Sequence, residues 1–250
     1  MSIDQTLLES VQAGAPPALR LYRWAEPCLS LGRNQPARDR FRDAARLAAS
    51  IVRRPTGGLA VYHDRELTYA VAVPVGWLGG PRATYHAINR SWIDALRRLG
   101  VAAGPARSSQ PTARAAPAPH PASPDPTCFA AAAPGEVMVR GRKLIGSAQR
   151  CERHAILQHG SLPLEAAQQT MVRRLAGADA VAGASLAAIA LAEAAGRVVP
   201  MPELIDAVVA GFTATLGIRL APAVLSPPER LRAAALADQR FGTSAWTWRR

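Results

Sequence analysis

At 250 residues the chain suits one large domain, or a main domain with a small appendage, and is long enough to bury a substantial core. With 49% apolar and 19% charged residues it reads as globular and not as a disordered chain. A formal net charge of +12 asks for an acidic partner; no zinc-finger spacing, arginine-rich run or aromatic-interleaved basic strand speaks for nucleic acid, so an acidic protein is favoured.

In chain order, Met1 to Gln5 lacks the basic and apolar regions of a secretory signal. Residues 2–13 predict a helix, with Ile3, Leu7, Leu8 and Val11 at helical spacing, ended by Gly14-Ala15-Pro16-Pro17. Leu19 to Trp24 alternates apolar and polar residues and predicts a strand; Cys28 to Gly32 predicts a second, short one. A short helix is expected over Arg42–Ser50 and a strand over Ile51–Arg54. Thr56-Gly57-Gly58 then turns the chain into Leu59–His63, and Glu66–Pro74 forms the next strand. Tyr85, Ile88, Trp92, Leu96 and Leu99 mark an amphipathic helix closed by Gly100.

Residues 104–126 are rich in Pro, Ala, Ser and Thr, with almost no large apolar side chain, and predict a long mobile loop. A hairpin follows: Glu136–Val139, a turn at Arg140-Gly141, and a returning strand over Arg142–Gln149. Ala155–Leu164 is another strand region. The most apolar stretch, Ala180 to Ala192, is too short for a bilayer, which needs roughly 20 residues, so the expected address is the cytoplasm, with no membrane. Residues 200–250 form a C-terminal helical segment of the same single domain (1–250). In it, Pro202–Leu216 is a helix stopped by Gly217, and Ser226-Pro227-Pro228-Glu229 is a capping box starting a last helix to about Arg240.

Three segments carry chemistry-bearing residues. In the first, Arg53 to Asp64, paired glycines allow close backbone approach to a ligand, Leu59, Ala60 and Val61 offer an apolar wall, and Arg53 and Arg54 could hold an acid or phosphate; for the glycines alone an ordinary hairpin turn is the simpler reading. The second is Cys128-Phe129, at the exit of the long loop, where a nearby cation would raise the thiolate fraction. Cys28, in an apolar strand, and Cys151, at a strand end, read as fillers, and the three cysteines form neither a disulfide framework nor a metal motif. The third is Lys143, the only lysine in the sequence, followed by Leu157-Gln158-His159-Gly160-Ser161-Leu162. A role that needs a compact ammonium would not tolerate arginine, whereas a solvated charge would.

Read in order, RRPTGGLAVYHD at residues 53–64, CF at 128–129, GEVMVRGRKLIGSAQR at 135–150 and LQHGSL at 157–162 resemble the biotin/lipoate ligase and lipoyl/octanoyl transferase superfamily. The likeness extends to Leu19–Arg33 and covers roughly residues 2–165. It implies an α+β fold, a mixed β-sheet flanked by helices, as in biotin ligase and class II synthetase cores. It places the acyl chain along the glycine-containing hairpin and Lys143 on the acyl carbonyl. The matching substrate-binding positions are Arg53, Arg54, Thr56, Gly57, Gly58, Ala60, Val61, His63, Gly146, Ser147, His159 and Gly160.

Within the superfamily the chain looks most like the cysteine-dependent octanoyltransferases. Cys128 lies in the loop that holds their nucleophile, Asp64-Arg65-Glu66-Leu67-Thr68-Tyr69 resembles their pattern, and the extra C-terminal domain of many ligases is lacking. Leu59 departs from the family's usual Gly or Arg. The resemblance implies transfer of an octanoyl or lipoyl group from an acidic acyl carrier protein, through a Cys128 thioester, to a lysine of lipoyl domains such as glycine cleavage H protein or E2 subunits, without a cofactor. The alternatives are an ATP- and Mg-dependent lipoate ligase, an amidotransferase between lipoyl proteins, and a non-catalytic acyl- or carrier-binding protein.

Overall fold

The computed structural model describes residues 1–37, 41, 50–106, 134–165 and 188–250. Along these the chain runs through helix α1 (Ser2–Gln12), strands β1 (Ala18–Tyr22), β2 (Cys28–Leu31), β3 (Ser50–Arg53), β4 (Val61–His63) and β5 (Glu66–Pro74), and helix α2 (Pro81–Arg98). Strands β6 (Ala103–Pro105), β7 (Val137–Val139), β8 (Arg142–Cys151) and β9 (Ala155–Pro163) follow. The last part is helical: α3 (Leu191–Ala195), α4 (Met201–Leu216), α5 (Pro227–Leu236), a π-helical turn (Ala237–Phe241) and α6 (Ser244–Thr247).

Six strands form one sheet in the order β1-β5-β9-β8-β7-β6, with every neighbouring pair antiparallel. A smaller sheet, β3-β2-β4, holds the parallel pairing of β2 with β3. The α+β expectation holds; among the named strands the parallel pairing lies in the small sheet, and an isolated parallel bridge joins Lys143 of β8 to Ala188.

Strand alternation explains how the large sheet is used. On β5, Leu67, Tyr69, Val71 and Val73 point to one face, where α2 and α4 cover them. There Trp92 of α2 lies 5.0 Å from the Tyr69 ring and 5.9 Å from that of Phe212. The other face carries Ala70, Ala72, Ala155 and Leu157, whose mostly small side chains admit Leu8 and Val11 of α1. Farther along this second face the alternate positions turn polar: Glu66 and Thr68 on β5, His159 and Ser161 on β9, all buried.

Local signals act where the sequence placed them. Arg140 and Gly141 both have positive φ, 51° and 72°, the requirement of a tight two-residue hairpin loop. Gly217 ends α4 in the left-handed conformation. Ser226 and Glu229 form the expected reciprocal cap, worth about 1 kcal/mol. The last helix departs from expectation: it loosens into the π turn after Leu236, and α6 follows as a separate short element. Of the helix expected over Arg42–Ser50 only Ser50 is described, and it begins β3; of the loop expected over residues 104–126, Gly104 and Pro105 belong to β6, pairing with β7, and residues 107–126 lie outside the described residues.

A strap from the C-terminal segment crosses the small sheet. Arg53 Nε donates to the Thr247 carbonyl at 2.8 Å, and Trp246 Nε1 donates to the Arg53 carbonyl at 2.8 Å. Beside it, Arg249 Nη2 donates to the Arg33 carbonyl at 2.5 Å.

Candidate functional site

The polar face of the large sheet meets β2, β4 and the loop after β3 around a small cavity of about 30 Å³, lined among others by Tyr22, Ser30, Thr68, Gly146 and Ser161. Seven of the residues singled out in the sequence line it: Arg54, Val61, His63, Gly146, Ser147, His159 and Gly160. Two hydroxyl–imidazole–carboxylate chains flank it.

In the first, His63 Nδ1 lies 2.6 Å from Glu66 Oε1 and Nε2 lies 2.7 Å from Ser30 Oγ. A carboxylate only accepts, so Nδ1 carries the proton. Ser30 Oγ also accepts from Arg54 Nη1 at 3.3 Å. Glu66 also accepts from Thr68 and, at 2.6 Å, from Ser161. Burial by itself would raise the Glu66 pKa; the charge and hydrogen bond of His63, with the Ser161 and Thr68 hydroxyls, outweigh it and hold the carboxyl below its usual range. Trp24 stacks on the His63 ring at 4.2 Å and fixes its plane.

In the second chain, His159 Nε2 lies 2.5 Å from Thr56 Oγ1, and Nδ1 lies 3.3 Å from Asp4 Oδ2. Asp4 also accepts from Arg20 at 2.6 Å and Tyr22 at 3.1 Å. Burial would raise its pKa, but the N-terminal ammonium, His159 and Arg20 together hold it well below the carboxylate range. Burial also lowers the His159 pKa, so at neutral pH the ring is neutral and holds Asp4 by its Nδ1–H bond.

The two arginines of the RRPTGG segment hold backbone. Arg53, fully buried, donates through Nη1 to the carbonyls of Gly32 at 2.6 Å and Gln35 at 2.8 Å. Arg54 donates through Nη2 to the carbonyls of Gly57 and Leu59, both at 2.7 Å, and through Nη1 to that of Ser30 at 3.1 Å. These bonds satisfy carbonyls that the Thr56–Leu59 turn cannot pair within a strand. A Cβ on Gly32 would fall 1.7 Å from the Gly58 carbonyl oxygen, so the β2 exit and the turn touch only because residue 32 lacks a side chain. Ala60 points away from the cavity, into the small core with Leu29, Leu31 and Phe41. Gly57 is likewise not part of the lining.

Lys143 lies on β8, three residues before Gly146, with its side chain 2% exposed and its Nζ 2.8 Å from Glu136 Oε1, itself 4% exposed. It does not line the 30 Å³ cavity. Cys128 lies outside the described residues. Cys28 is buried, and burial pushes its thiol up to about 12, as a filler role requires. Cys151 is exposed and so is not a filler.

Sequence reasoning missed Asp4, Ser30, Glu66, Thr68 and Ser161. The available signal was polar residues at alternate positions of otherwise apolar, buried strands, as in Glu66-Leu67-Thr68-Tyr69 and His159-Gly160-Ser161.

No described helix is long and apolar enough to cross a membrane. The sequence pattern of the lipoyl protein ligase A/B catalytic domain matches residues 1–213. The octanoyltransferase LipM of Symbiobacterium thermophilum is 35% identical over 263 residues, covering 100% of this chain and 93% of that protein. The octanoyltransferase LipM of Kyrpidia tusciae is 35% identical over 262 residues, covering 100% and 94%. Among solved structures, lipoate-protein ligase A bound with ATP superposes with a TM-score of 0.78 at 21% identity, covering 99% of this chain and 92% of that one. A bipartite lipoate protein ligase from Thermoplasma acidophilum, studied with its E2 lipoyl domain, gives 0.72 at 19% identity, covering 99% and 89%. At these identities the structures bear on the fold alone. The sequence match, from the first residue to the C-terminal helices, places this chain in the lipoyl protein ligase A/B catalytic domain family.

Proposed function

We propose that the protein is an acyltransferase that moves an octanoyl group from the thioester of an acidic acyl carrier protein to a lysine of a lipoyl domain, with Cys128 as the intermediate carrier. The observation that carries this reading is the full-length likeness to relatives named octanoyltransferase. The sole lysine of the chain, buried on β8 near the cavity-lining residues Gly146–Ala148, supports it.

The Cys128 thiolate attacks the octanoyl carbonyl; a new C–S bond forms, the donor's C–S bond breaks, and the donor thiolate leaves and takes a proton. The Lys143 ammonium donates to the carbonyl oxygen as it gains charge, worth about 2.7–4 kcal/mol for one such donor. The acceptor lysine amine then attacks the acyl-cysteine, an amide forms, and the Cys128 thiol returns with the proton that the amine gives up. Amide formation from a thioester runs downhill, so the reaction uses no nucleotide; ATP and Mg belong to the ligase alternative. Lipoyl domains of the glycine cleavage H protein and E2 subunits are the expected acceptors, in the cytoplasm.

Mass spectrometry after incubation with octanoyl carrier protein is expected to find one octanoyl adduct, on Cys128. Cys128→Ala is expected to abolish transfer. Equal transfer by Cys128→Ala would refute the covalent route, and product from free lipoate and ATP without a carrier would favour the ligase.

A further inference from the structure

The RRPTGG turn, the end of β8 and the C-terminal strap bring together five arginines that the acyl-transfer chemistry does not use. Arg33 follows Gly32 at the β2 exit. Arg150, on β8, reaches the Pro55 carbonyl through Nη1 at 3.3 Å. Arg240 and Arg249 each lie 4.0 Å from the ring centroid of Trp246, and Arg250 follows. Burial lowers the pKa of Arg33, Arg240 and Arg249, and the neighbouring guanidinium groups lower each further, so these charges sit close enough to repel. Glu152, paired with Arg150, and Glu9 offset part of the charge. Beside the same cluster two buried N–H donors, Arg53 Nη2 and Arg249 Nε, have no hydrogen-bond partner among the described residues. Repelling cations with buried, unused donors are destabilising by themselves, and an anion between them relieves both penalties.

The cluster is aligned with the candidate site. Gly146, Ala148 and Arg150 share one face of β8, opposite Ser161, His159 and Leu157 of β9. Gly146 lines the cavity, and Arg150 lies four residues farther, about 13 Å at strand spacing. A ligand with its acyl end at the cavity and an anionic group at the arginines would therefore lie extended along β8, beneath the Pro55 turn.

We infer that Arg33, Arg150, Arg240 and Arg249 form a subsite for a phosphate group carried on the acyl-thioester donor, about 13 Å from the reacting end. Phosphate fits better than a single carboxylate. It offers more acceptor oxygens and more charge to guanidinium groups supplied by β8, the β2 exit and the C-terminal segment. This rests on the acyl-transfer reading, which supplies a donor that is a thioester.

The test uses two small donors that differ by one group, octanoyl-4′-phosphopantetheine and octanoyl-pantetheine, with binding read by calorimetry and transfer read separately. Wild-type protein is expected to bind the phosphorylated donor about tenfold or more tightly. In Arg33→Gln/Arg150→Gln that ratio is expected to fall to about twofold or less. Arg240→Gln, which removes a charge from the strap side without touching β8, is expected to lower the ratio as well, so a folding defect in the double variant leaves the test intact. Equal binding of both donors by the wild type, or an unchanged ratio in both variants, overturns the subsite. If wild type binds both donors equally while the double variant loses affinity for an intact carrier protein, the arginines serve acidic side chains on the carrier surface, and the phosphate assignment fails. If the phosphorylated donor binds more tightly and neither donor is turned over with a lipoyl domain present, the subsite stands and the transfer reading falls.

Discussion

Lys143→Met tests whether the buried ion pair at the head of β8 is as dry as its geometry makes it. The ammonium and the Glu136 carboxylate are 2.8 Å apart and 2% and 4% exposed. Methionine keeps the length of the side chain and removes the charge, leaving Glu136 buried without that cation. Breaking one side of a buried pair costs about 3–5 kcal/mol, against a total stability of about 5–15 kcal/mol for a typical domain. For a chain of this length that corresponds to a fall in Tm of roughly 6–20 °C. Urea unfolding measures it, with Glu136→Gln as the complement. The double variant Lys143→Met/Glu136→Gln, which removes both charges of this pair, is expected to recover most of the loss. Activity separates chemistry from stability, because the recovered double variant is expected to stay inactive, and Lys143→Arg to lose most turnover, its planar fork being unable to replace a compact donor. A cost below about 1 kcal/mol for Lys143→Met, the range of exposed pairs, would refute the reasoning.

Gly160→Ala would place a Cβ 2.5 Å from the Gly146 carbonyl oxygen and 2.6 Å from the Tyr69 ring, and is expected to cost about 1–3 kcal/mol in urea unfolding; a neutral effect would mean that β8 and β9 separate freely. Burial holds the His159 pKa below its ordinary 6.5, so between those values the unfolded chain binds a proton that the folded chain does not. Stability from this group is therefore complete above pH 6.5 and is lost as pH falls through the window below it. Tm followed from pH 7.5 to 5 is expected to drop in the wild type and to drop less in His159→Gln; parallel curves would dismiss the assignment.

The elements that position the site were legible wherever a local signal decides them. The 2-residue period of Glu66–Pro74, the positive-φ turn at Arg140-Gly141 and the Ser226–Glu229 cap each act within a few residues. What was not legible depends on partners distant in sequence. Asp4 meets His159 across 155 positions, and no periodicity in the first helix marks Asp4 as buried. Arg53 and Arg54 are visible as cations. Their use is set by carbonyls that only the folded turn and strap leave unpaired, so a ligand role and a structural role look alike before folding. Helix α6 was missed because four residues are too few for an amphipathic pattern, and it is held by tertiary contacts instead.

The strap also sets an order of events in synthesis. Arg53 finds the Thr247 carbonyl 194 positions later in the chain. Until the ribosome has released that segment, the β3 end and the turn after it lack one of their fixed supports, and a guanidinium destined for complete burial must stay hydrated. Closing so long a loop is slow. The small sheet is therefore expected to be among the last parts of the molecule to set, and the nascent chain to expose the apolar side chains of β2 and β4 to chaperones, or to other copies of itself, until the final turn docks.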